Sequence, residues 1–201
     1  MIAVAATRNR HKIEEIGTIM GAFGFTLQSQ SEAGLEAIDV TEDGDTFEAN
    51  SLKKAMAIYQ ACGKTTVADD SGLMVDALDG APGVYSARFS GEGATDQSNN
   101  EKLLHLLGNL PLEERSAKFV AVITLILESG EKIVVRGECP GTILFAPKGE
   151  GGFGYDPLFC PEGYEESFSE LGSEIKNKIS HRAKALQALD AELKRRGVAY
   201  D

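Results

Sequence analysis

Two adjacent carboxylates, Asp69 and Asp70, end an apolar run in the segment "TTVADDSGL" (65–73), which carries no cation. Like charges side by side repel each other, so this pair needs a partner from elsewhere in the chain. If a strand continues through them, alternation points the two carboxylates to opposite sides. Carboxylate oxygens suit Mg²⁺, which takes one or two of them and completes its shell with water and substrate phosphates. The alternative is an Asp-Asp-Ser-Gly turn, in which short polar side chains bond nearby backbone.

A second acidic group lies in "VTEDGDTFEANSLKKA" (40–55), just before a predicted helix. In that helix Asn50 and Lys54 are one turn apart and therefore share a face. One interpretation places Glu42 on a metal ion and Lys54 on phosphate. The other is a solvated helix face with acids at its start, which the helix dipole favours without any ligand.

The segment "TRNRHK" (7–12) lies where a predicted strand ends and a predicted helix begins. Backbone N–H groups and the positive end of the helix dipole favour an anion at such a point. Two side chains of this segment, Thr7 and Asn9, can donate hydrogen bonds to phosphate oxygens. Three cations stand beside them: Arg8, Arg10 and Lys12. The alternative is an ordinary helix cap with solvated cations.

The glycine-rich stretch "GEGGFGYDP" (149–157) formally contains GxGxxG. A dinucleotide site requires that motif to follow a strand and open a helix, whereas here Asp156-Pro157 argues against a helix continuing from the glycines. We interpret the glycines as allowing backbone to approach a ligand, with Phe153 or Tyr155 offering a ring for stacking. A flexible loop without a ligand is the alternative.

A third cationic segment, "KNKISHRAKA" (176–185), is placed at the start of the last predicted helix. Cations at a helix N-terminus oppose its dipole. We therefore expect Lys176, Lys178, His181 and Arg182 to face an anion or a carbonyl acceptor, although His181 could instead be a capping or packing residue.

The elements that must position these residues follow from apolar periodicity and end signals. Strands are predicted at 2–6, 25–30 and 65–69, with an antiparallel hairpin at 118–139 around Ser129-Gly130. Helices are predicted at 9–22, at 46–62 with a capping box of Asp45 and Glu48, at 95–110 between Thr95 and Gly108, and at 180–197. Their core stripes are predicted to be Leu52, Ala55, Met56 and Tyr59 in the second helix and Leu186, Leu189 and Leu193 in the last. The fold class is α/β: a mixed central sheet flanked by helices, with two lobes around a cleft in one domain, 1–201.

Composition narrows the function classes. The formal net charge is −11 and the pI about 4.8, which argues against nucleic-acid and anionic-membrane partners. Three widely spaced cysteines indicate free thiols in a reducing, cytoplasmic setting. The longest apolar run, "FVAVITLIL" (119–127), is too short to span a bilayer, and no basic region precedes an apolar core at the N-terminus. Walker A, HExxH and GxSxG motifs are absent, which leaves nucleophilic and zinc chemistry with little support.

Five blocks in this order, "TFEANSLKKA", "ADDSGL", "GAPGVYSARFSG", "GGFGYDPLF" and "SHRAKAL", make the chain resemble the inosine triphosphate / xanthosine triphosphate pyrophosphatase family. The resemblance extends from Thr7 to Ala185. It implies a two-lobed α/β enzyme, usually a homodimer, that hydrolyses non-canonical purine nucleoside triphosphates (ITP, dITP, XTP) to the monophosphate and pyrophosphate with Mg²⁺. Two departures, Arg8 and "FEANS" in place of "FEENA", affect the details of phosphate contacts.

The resemblance also implies roles for individual residues. Asp70 matches the catalytic proton acceptor and a metal-associated residue, Glu42 matches a metal-binding acid, and Asp69 is their neighbour or support at the metal. The implied substrate contacts are the triphosphate segment Thr7, Arg8, Asn9, Arg10, His11 and Lys12; Ser71; the base loop Phe153, Gly154, Tyr155 and Asp156; and Lys176, His181 and Arg182. Asn50 and Lys54 complete the predicted substrate-binding set.

Two other functions stay open at this point. One is a nucleoside triphosphate pyrophosphatase with a different base preference, for pyrimidines or modified bases. The other is a nucleotide sensor that binds a triphosphate without cleaving it. The acids beside the anion-binding segment argue against the sensor, because carboxylates hinder phosphate binding unless a metal lies between them.

Overall fold

The computed structural model describes residues 1–198, and within them the chain forms six strands and five α-helices joined by loops and short 3₁₀ turns. In chain order the elements are β1 (Ile2–Ala5), α1 (Arg10–Gly21), β2 (Thr26–Gln28), α2 (Phe47–Cys62), β3 (Thr66–Val75), α3 (Asp96–Leu107), β4 (Ser116–Ile126), β5 (Lys132–Ile143), β6 (Phe159–Pro161), α4 (Phe168–Ile179) and α5 (His181–Arg195). The last three residues of the predicted 1–201 domain lie outside the described part.

The strands form one sheet in the order β2-β1-β3-β4-β5-β6. β1 pairs in parallel with both β2 and β3, with Val4 opposite Thr66, whereas β5 and β6 are antiparallel. The sheet is therefore mixed, and the α/β class predicted from the sequence is confirmed. The short loop that joins β4 to β5 contains the predicted Ser129-Gly130 turn, where Gly130 N–H donates to the Leu127 carbonyl.

The described chain divides into two compact units. The first unit comprises Met1–Asp70, Ala121–Gly137 and the chain from Arg182 onward. Its core has two parts. One packs Ile16 and Met20 of α1 with the three predicted leucines of α5, and the other packs Ala55 and Ile58 of α2 against β1 and β3.

The second unit comprises Ser71–Val120 and Glu138–His181. Aromatic rings make up much of its core: the centroids of Phe119 and Phe159 are 4.6 Å apart, and those of Phe159 and Phe168 are 5.3 Å apart. Tyr155 is buried in the same cluster. Rings at these separations add favourable edge and offset contacts to the burial of apolar area.

Side-chain caps explain where most helices begin. Asn9 caps α1 and Thr95 caps α3, the latter in a reciprocal capping box with Ser98. The predicted cap of α2 was wrong by one residue: Thr46, not Asp45, accepts the hydrogen bond from Ala49 N–H. The predicted core stripe of α2 was partly right: Ala55 is buried in the core and Met56 and Tyr59 pack half-buried against it, whereas Leu52 belongs to no core cluster of the described residues.

Two further elements differ from the sequence prediction. β3 does not end at Asp69 but continues to Val75, so Asp69–Gly72 is strand rather than turn. An unpredicted helix, α4, precedes α5, and Lys176 and Lys178 lie in its last turn. Cations suit the negative end of a helix dipole, so the predicted conflict with a helix N-terminus applies only to His181 and Arg182. Across residues 1–198, no helix has the length and apolar character that a membrane span needs.

Candidate active site

Asp69 and Asp70 lie in β3 of the first unit with 0% and 4% of their surface exposed. Asp69 is on the same strand face as Val67, which packs with α1 and α5, and Asp70 is on the same face as Ala68, which packs with α2. The prediction that the strand splits the pair is therefore confirmed. Each carboxylate meets its own group of charged side chains.

Asp69 is surrounded by cations. Its Oδ2 accepts hydrogen bonds from Arg182 Nη2 at 2.9 Å and Nε at 3.2 Å, and the Lys12 ammonium lies 3.5 Å from the same oxygen. Burial alone would raise the pKa of Asp69, but Arg182, Lys12 and Lys54 outweigh it and hold the pKa well below its usual range. These cations therefore stabilise Asp69 in its ionised form.

Asp70 is in a different electrostatic state. Its Oδ1 lies 3.2 Å from Lys54 Nζ, and it interacts with the Glu42 carboxyl group. Burial raises the pKa of Asp70 to about 6, opposed by Lys54 and Lys12 and reinforced by Glu42. Burial also acts to raise the pKa of Glu42, but Lys54 and the hydrogen bond with Asp70 hold it below its usual range. A buried carboxyl with a pKa near neutrality is suited to accept a proton from water.

Lys54 holds this acid pair together. Its ammonium donates to the backbone carbonyl of Asp69 at 2.8 Å and lies 3.1 Å from Glu42 Oε1, in addition to Asp70. These three acceptors match its three N–H donors. A direct contact of Lys54 with phosphate, as predicted, would require one of these bonds to break.

The loop that carries Glu42 is fixed by the buried side chain of Asn50. Asn50 Oδ1 accepts from Gly44 N–H at 2.8 Å, and its amide donates to the Gly44 carbonyl at 3.3 Å. A β-carbon at Gly44 would lie 2.7 Å from Asn50 Oδ1, so the close approach requires glycine. Asn50, predicted as a substrate contact, is placed where it positions the loop.

The start of α1 brings part of the predicted triphosphate segment to this cluster. Asn9 Oδ1 accepts from Lys12 N–H at 3.1 Å and Thr7 Oγ1 accepts from Asn9 N–H at 3.2 Å, which shapes the first turn. Burial lowers the pKa of Lys12, with Asp69 opposing the shift. At 3.5 Å from Asp69, the Lys12 ammonium is too far for a hydrogen bond of normal length, so it can approach an anionic ligand.

The cations on either side of Asn9 are placed differently. Arg8 donates to the carbonyls of Glu36 and Ile38 at 2.7 and 2.8 Å, so it ties the 36–39 loop to the end of β1. Arg10 and His11 are exposed in the first turn of α1. Of the three predicted cations, Lys12 is the one that the structure places against Asp69.

Two buried carboxylate atoms in the first unit have no hydrogen-bond donor, Asp69 Oδ1 and Asp70 Oδ2. Buried acceptors are normally paired, so these atoms fit a cation or an ordered water that binds them. Among residues 1–198 no group of three or more His, Cys, Asp and Glu side chains forms a ready-made metal cage. Mg²⁺ is commonly bound by only one or two carboxylates together with substrate phosphates, and the residues present fit that mode.

The second unit contains a smaller charged cluster beneath Phe153. Lys176 Nζ is 2.7 Å from Asp156 Oδ2 and 4.4 Å from the centroid of the Phe153 ring, and both charged groups are buried. Asp156 also accepts from Phe153 N–H at 3.0 Å. Gly152 has φ +77°, and a β-carbon there would collide with the Asp156 carboxylate. The ion pair therefore fixes both the backbone and one ring face of Phe153.

Gly154, the next residue, is held on both sides by α3. Its N–H donates to Asp96 at 2.7 Å and its carbonyl accepts from the Asn100 amide at 3.0 Å. Asn100 Oδ1 is buried and has no donor. Tyr155 is 4% exposed and donates through its hydroxyl to the Ser86 carbonyl at 2.7 Å, so its ring anchors the loop in the core instead of offering a stacking face.

The remaining predicted contacts are Ser71, His181 and Arg182. Ser71 is half-buried in β3 of the second unit. His181, also in the second unit, is buried and stacks on Phe119 with ring centroids 4.7 Å apart. Arg182 belongs to the first unit, where its Nε and Nη2 bind Asp69 and its Nη1 binds Glu15.

Sequence reasoning missed Glu15, Asp96 and Asn100. Glu15 follows Lys12 by three residues, so helical spacing already put the two on one face. Asp96 and Asn100 share a face of α3 for the same reason, but nothing in the sequence linked that face to a glycine more than fifty residues away.

The model of the Ham1 family matches residues 3–192 of this chain. The chain belongs to the Ham1 family. Two relatives are each named dITP/XTP pyrophosphatase. The protein from Clostridium perfringens is 49% identical and covers 95% of this chain and 96% of its own length, and that from Geobacter sulfurreducens is 48% identical and covers 97% and 98%. The solved structure of the Staphylococcus aureus Ham1 protein superposes with a TM-score of 0.85 at 40% identity, covering 98% of this chain and 100% of its own.

These matches extend over nearly the whole chain, as the five sequence blocks predicted. The resemblance to the inosine/xanthosine triphosphate pyrophosphatases is confirmed at the level of the family, and the Ham1 neighbours share the α/β fold.

Proposed function

We propose that this Ham1-family protein hydrolyses non-canonical purine nucleoside triphosphates (ITP, dITP and XTP) to the monophosphate and pyrophosphate, and so removes them from the nucleotide pool. The observation that carries the proposal is Asp70, a buried carboxyl that has one donor-free oxygen, lies 3.2 Å from the Lys54 ammonium and has its pKa raised by burial to about 6. The relatives named dITP/XTP pyrophosphatase support the base preference.

Mg²⁺ is the metal of this proposal. Asp70 and Glu42 would hold it, with Asp69 beside them, because these acids provide hard oxygen ligands and two donor-free atoms. When bound, the ion neutralises charge that develops on the phosphate oxygens.

The protein's own side chains activate the water, bind the triphosphate and position the acids. Asp70 orients a water and accepts its proton as the water attacks the α-phosphorus. Lys12 and the N-terminal turn of α1 bind the triphosphate and stabilise the departing pyrophosphate, in a segment that also contains Thr7, Asn9, Arg10 and His11. Lys54 keeps Glu42 and Asp70 together, and Asn50 keeps the Glu42 loop in place. Positioning and electrostatics suffice for phosphoryl chemistry, so no protein nucleophile is needed.

Base recognition is assigned to the second unit. Phe153 stacks on the purine with Lys176 and Asp156 supporting it, and Ser71 contacts the substrate. Hypoxanthine and xanthine carry a 6-keto acceptor where adenine carries an amine. Arg182 and the N–H groups of Phe153 and Gly154 are donors of the kind that a keto group needs, but in this structure they are bound to carboxylates.

We assign the keto contact to His181, one of the substrate contacts that the family resemblance implies. Asn100 Oδ1 suits the N1–H that 6-oxopurines have and adenine lacks, because the Asn100 amide is oriented by the Gly154 carbonyl. Adenine would leave buried groups unpaired, which costs roughly 1–3 kcal/mol each.

A substrate panel tests the proposal. Pyrophosphate release is measured from ITP, dITP, XTP, GTP, ATP and dUTP, with Mg²⁺ and again with EDTA. We expect rapid release from the first three, at least about 100-fold slower release from ATP, and none with EDTA. Binding of ITP without pyrophosphate release would support the sensor, and a preference for dUTP would support a pyrimidine enzyme; either result overturns the proposal.

The assembly and location are part of the same proposal: a cytoplasmic homodimer, with 1–201 acting as one functional domain built from the two units. The three cysteines are free thiols, which agrees with a reducing compartment. Light scattering on the purified protein should give twice the monomer mass, and a monomer mass would refute the dimer.

A further inference from the structure

Arg182 is a buried guanidinium held between two carboxylates of the first unit. It comes from the first turn of α5 and is 1% exposed. Its Nε and Nη2 bind Asp69 in β3, and its Nη1 binds Oε2 of Glu15 in α1. Glu15 has no part in the function proposed above.

The way Arg182 meets Asp69 departs from the usual geometry. A guanidinium and a carboxylate commonly form two parallel hydrogen bonds, one to each oxygen. Here both N–H groups of Arg182 reach the same oxygen, Oδ2, and the Lys12 ammonium faces that oxygen too. The second oxygen of Asp69, Oδ1, is left buried without a donor.

Glu15 accounts for this one-sided arrangement. Because Glu15 holds Nη1, the guanidinium cannot turn toward Oδ1 without losing a charge-assisted hydrogen bond inside the protein. Without an acceptor at Glu15, Nη1 would lose this charge-assisted hydrogen bond, and rotation to a two-oxygen pairing with Asp69 would replace it.

We propose that Glu15 is a positioning residue that holds Arg182 on one oxygen of Asp69 and so keeps Asp69 Oδ1 available to a divalent cation or its bound water. The inference rests on the proposed function only in that it needs a divalent cation at the acid cluster. Glu15 acts through Arg182 and touches neither substrate nor metal. The hydrogen-bond acceptor of the Glu15 side chain, more than its negative charge, is what positions Arg182.

Three variants separate these properties. Glu15→Met removes the acceptor at similar length, and Glu15→Gln keeps an acceptor while removing the charge. Glu14→Met changes the neighbouring, exposed residue of the same helix and is the matched control. Mn²⁺ binding to each nucleotide-free protein is measured by calorimetry, together with the melting temperature and with kcat and KM for ITP.

Mutation of a group that orients a metal ligand typically lowers metal affinity or activity by 10–100-fold. We expect E15M to weaken Mn²⁺ binding and to lower kcat, each by about tenfold, with KM for ITP at saturating Mg²⁺ nearly unchanged. E15Q should retain most of the affinity and turnover, and E14M should match wild type.

Several outcomes overturn the inference. A lower melting temperature for E15M with unaltered Mn²⁺ affinity would reduce Glu15 to a structural role. An E15Q protein as impaired as E15M would mean that charge, not the acceptor, matters. Wild-type protein that binds no Mn²⁺ would also overturn it, whereas Mn²⁺ binding without ITP hydrolysis would refute the proposed function and leave this inference intact.

If E15M does not fold, Glu15→Asp serves in its place. It withdraws the carboxylate from Nη1 by one methylene and preserves the charge. We expect Mn²⁺ affinity about threefold weaker than wild type. Affinity equal to that of wild type in E15D would overturn the inference.

Discussion

The two units hold charge in opposite ways. In the first unit four carboxylates and three cations interlock, in the set Glu15, Glu42, Asp69, Asp70, Lys12, Lys54 and Arg182, and two carboxylate oxygens still have no donor. In the second unit a single buried pair, Lys176 and Asp156, is neutral overall and lies against Phe153.

The difference indicates a division of labour. A cluster with one anion in excess and unpaired acceptors has capacity for a cation and for proton transfer. The Lys176–Asp156 ion pair under the Phe153 ring has no such capacity. It instead holds the ring and its backbone in place. Substitutions in the first cluster should therefore change turnover, and those in the second should change affinity for the base.

The largest expected effect comes from Asp70→Asn. Loss of the proton acceptor should lower kcat for ITP about 1,000-fold, while KM changes little. Steady-state kinetics at saturating Mg²⁺ give both constants. Asp43→Asn, an exposed acid in the same loop as Glu42, is the control and should behave as wild type. Near wild-type turnover in D70N would remove Asp70 from the chemistry.

Phe153→Ala should produce the opposite pattern. Loss of base stacking, about 1–3 kcal/mol, should raise KM for ITP about 10–100-fold and leave kcat within about threefold. Inhibition by tripolyphosphate, which has no base, should not change.

Lys176→Met should raise KM by a smaller factor, about threefold to tenfold, because it removes the cation from the ring face. Lys178→Met, on the same helix and exposed, is the matched control. If kcat fell without a rise in KM in F153A or K176M, the proposed difference between the two units, turnover in the first and base affinity in the second, would be wrong.

The pH dependence of stability gives a fourth test. The folded-state pKa of Asp70, about 6, lies above the usual value of 3.8, so the folded protein favours the protonated form. Ionisation of Asp70 should therefore lower the stability of the metal-free protein as pH rises through about 6.

Asn at position 70 resembles the neutral acid, so D70N should be more stable than wild type by about 3 kcal/mol above that pH, and the gain should vanish below pH ~4. Urea unfolding of both proteins across this range measures the difference. A gain that does not depend on pH would contradict the raised pKa.

The smallest effect is expected for Asn50→Ala. It leaves both backbone groups of Gly44 without their partner, which should cost about 1–2 kcal/mol of stability and raise the Mg²⁺ concentration for half-maximal activity about threefold. Gln60→Ala, exposed on the same helix, should change neither quantity. An unchanged Mg²⁺ requirement in N50A would mean that the Glu42 loop does not need this anchor.

Local signals account for most of the fold that sequence could predict. Caps and closing glycines predicted the ends of α1, α2, α3 and α5 to within three residues, because those signals are local. The sequence analysis did not predict α4, because Gly172, which has φ +78°, interrupts the helical pattern of this segment. The core face of α2 was predicted only in part because its buried side also includes Asn50, Ser51 and Lys54, which a hydrophobic pattern cannot select.

The candidate site follows the same rule. Alternation along β3 predicted the separation of Asp69 from Asp70, since strand geometry alone requires it. The pairing of Asp69 with Arg182 joins residues 113 positions apart, and no spacing rule reaches that far. Tyr155 and Phe153 were indistinguishable as stacking rings until the packing of each was known.

The Lys176 ammonium under Phe153 also bears on inhibitor design. If Phe153 stacks on the base as proposed, a flat aromatic compound can contact this ring from one side at most, because Lys176 covers the other face. Enlarging the aromatic system of an inhibitor therefore adds contact on one face of Phe153, and the inhibitor cannot stack on both faces of this ring. Potency beyond that contact must come from the edge of the heterocycle and from the groups that replace the phosphates.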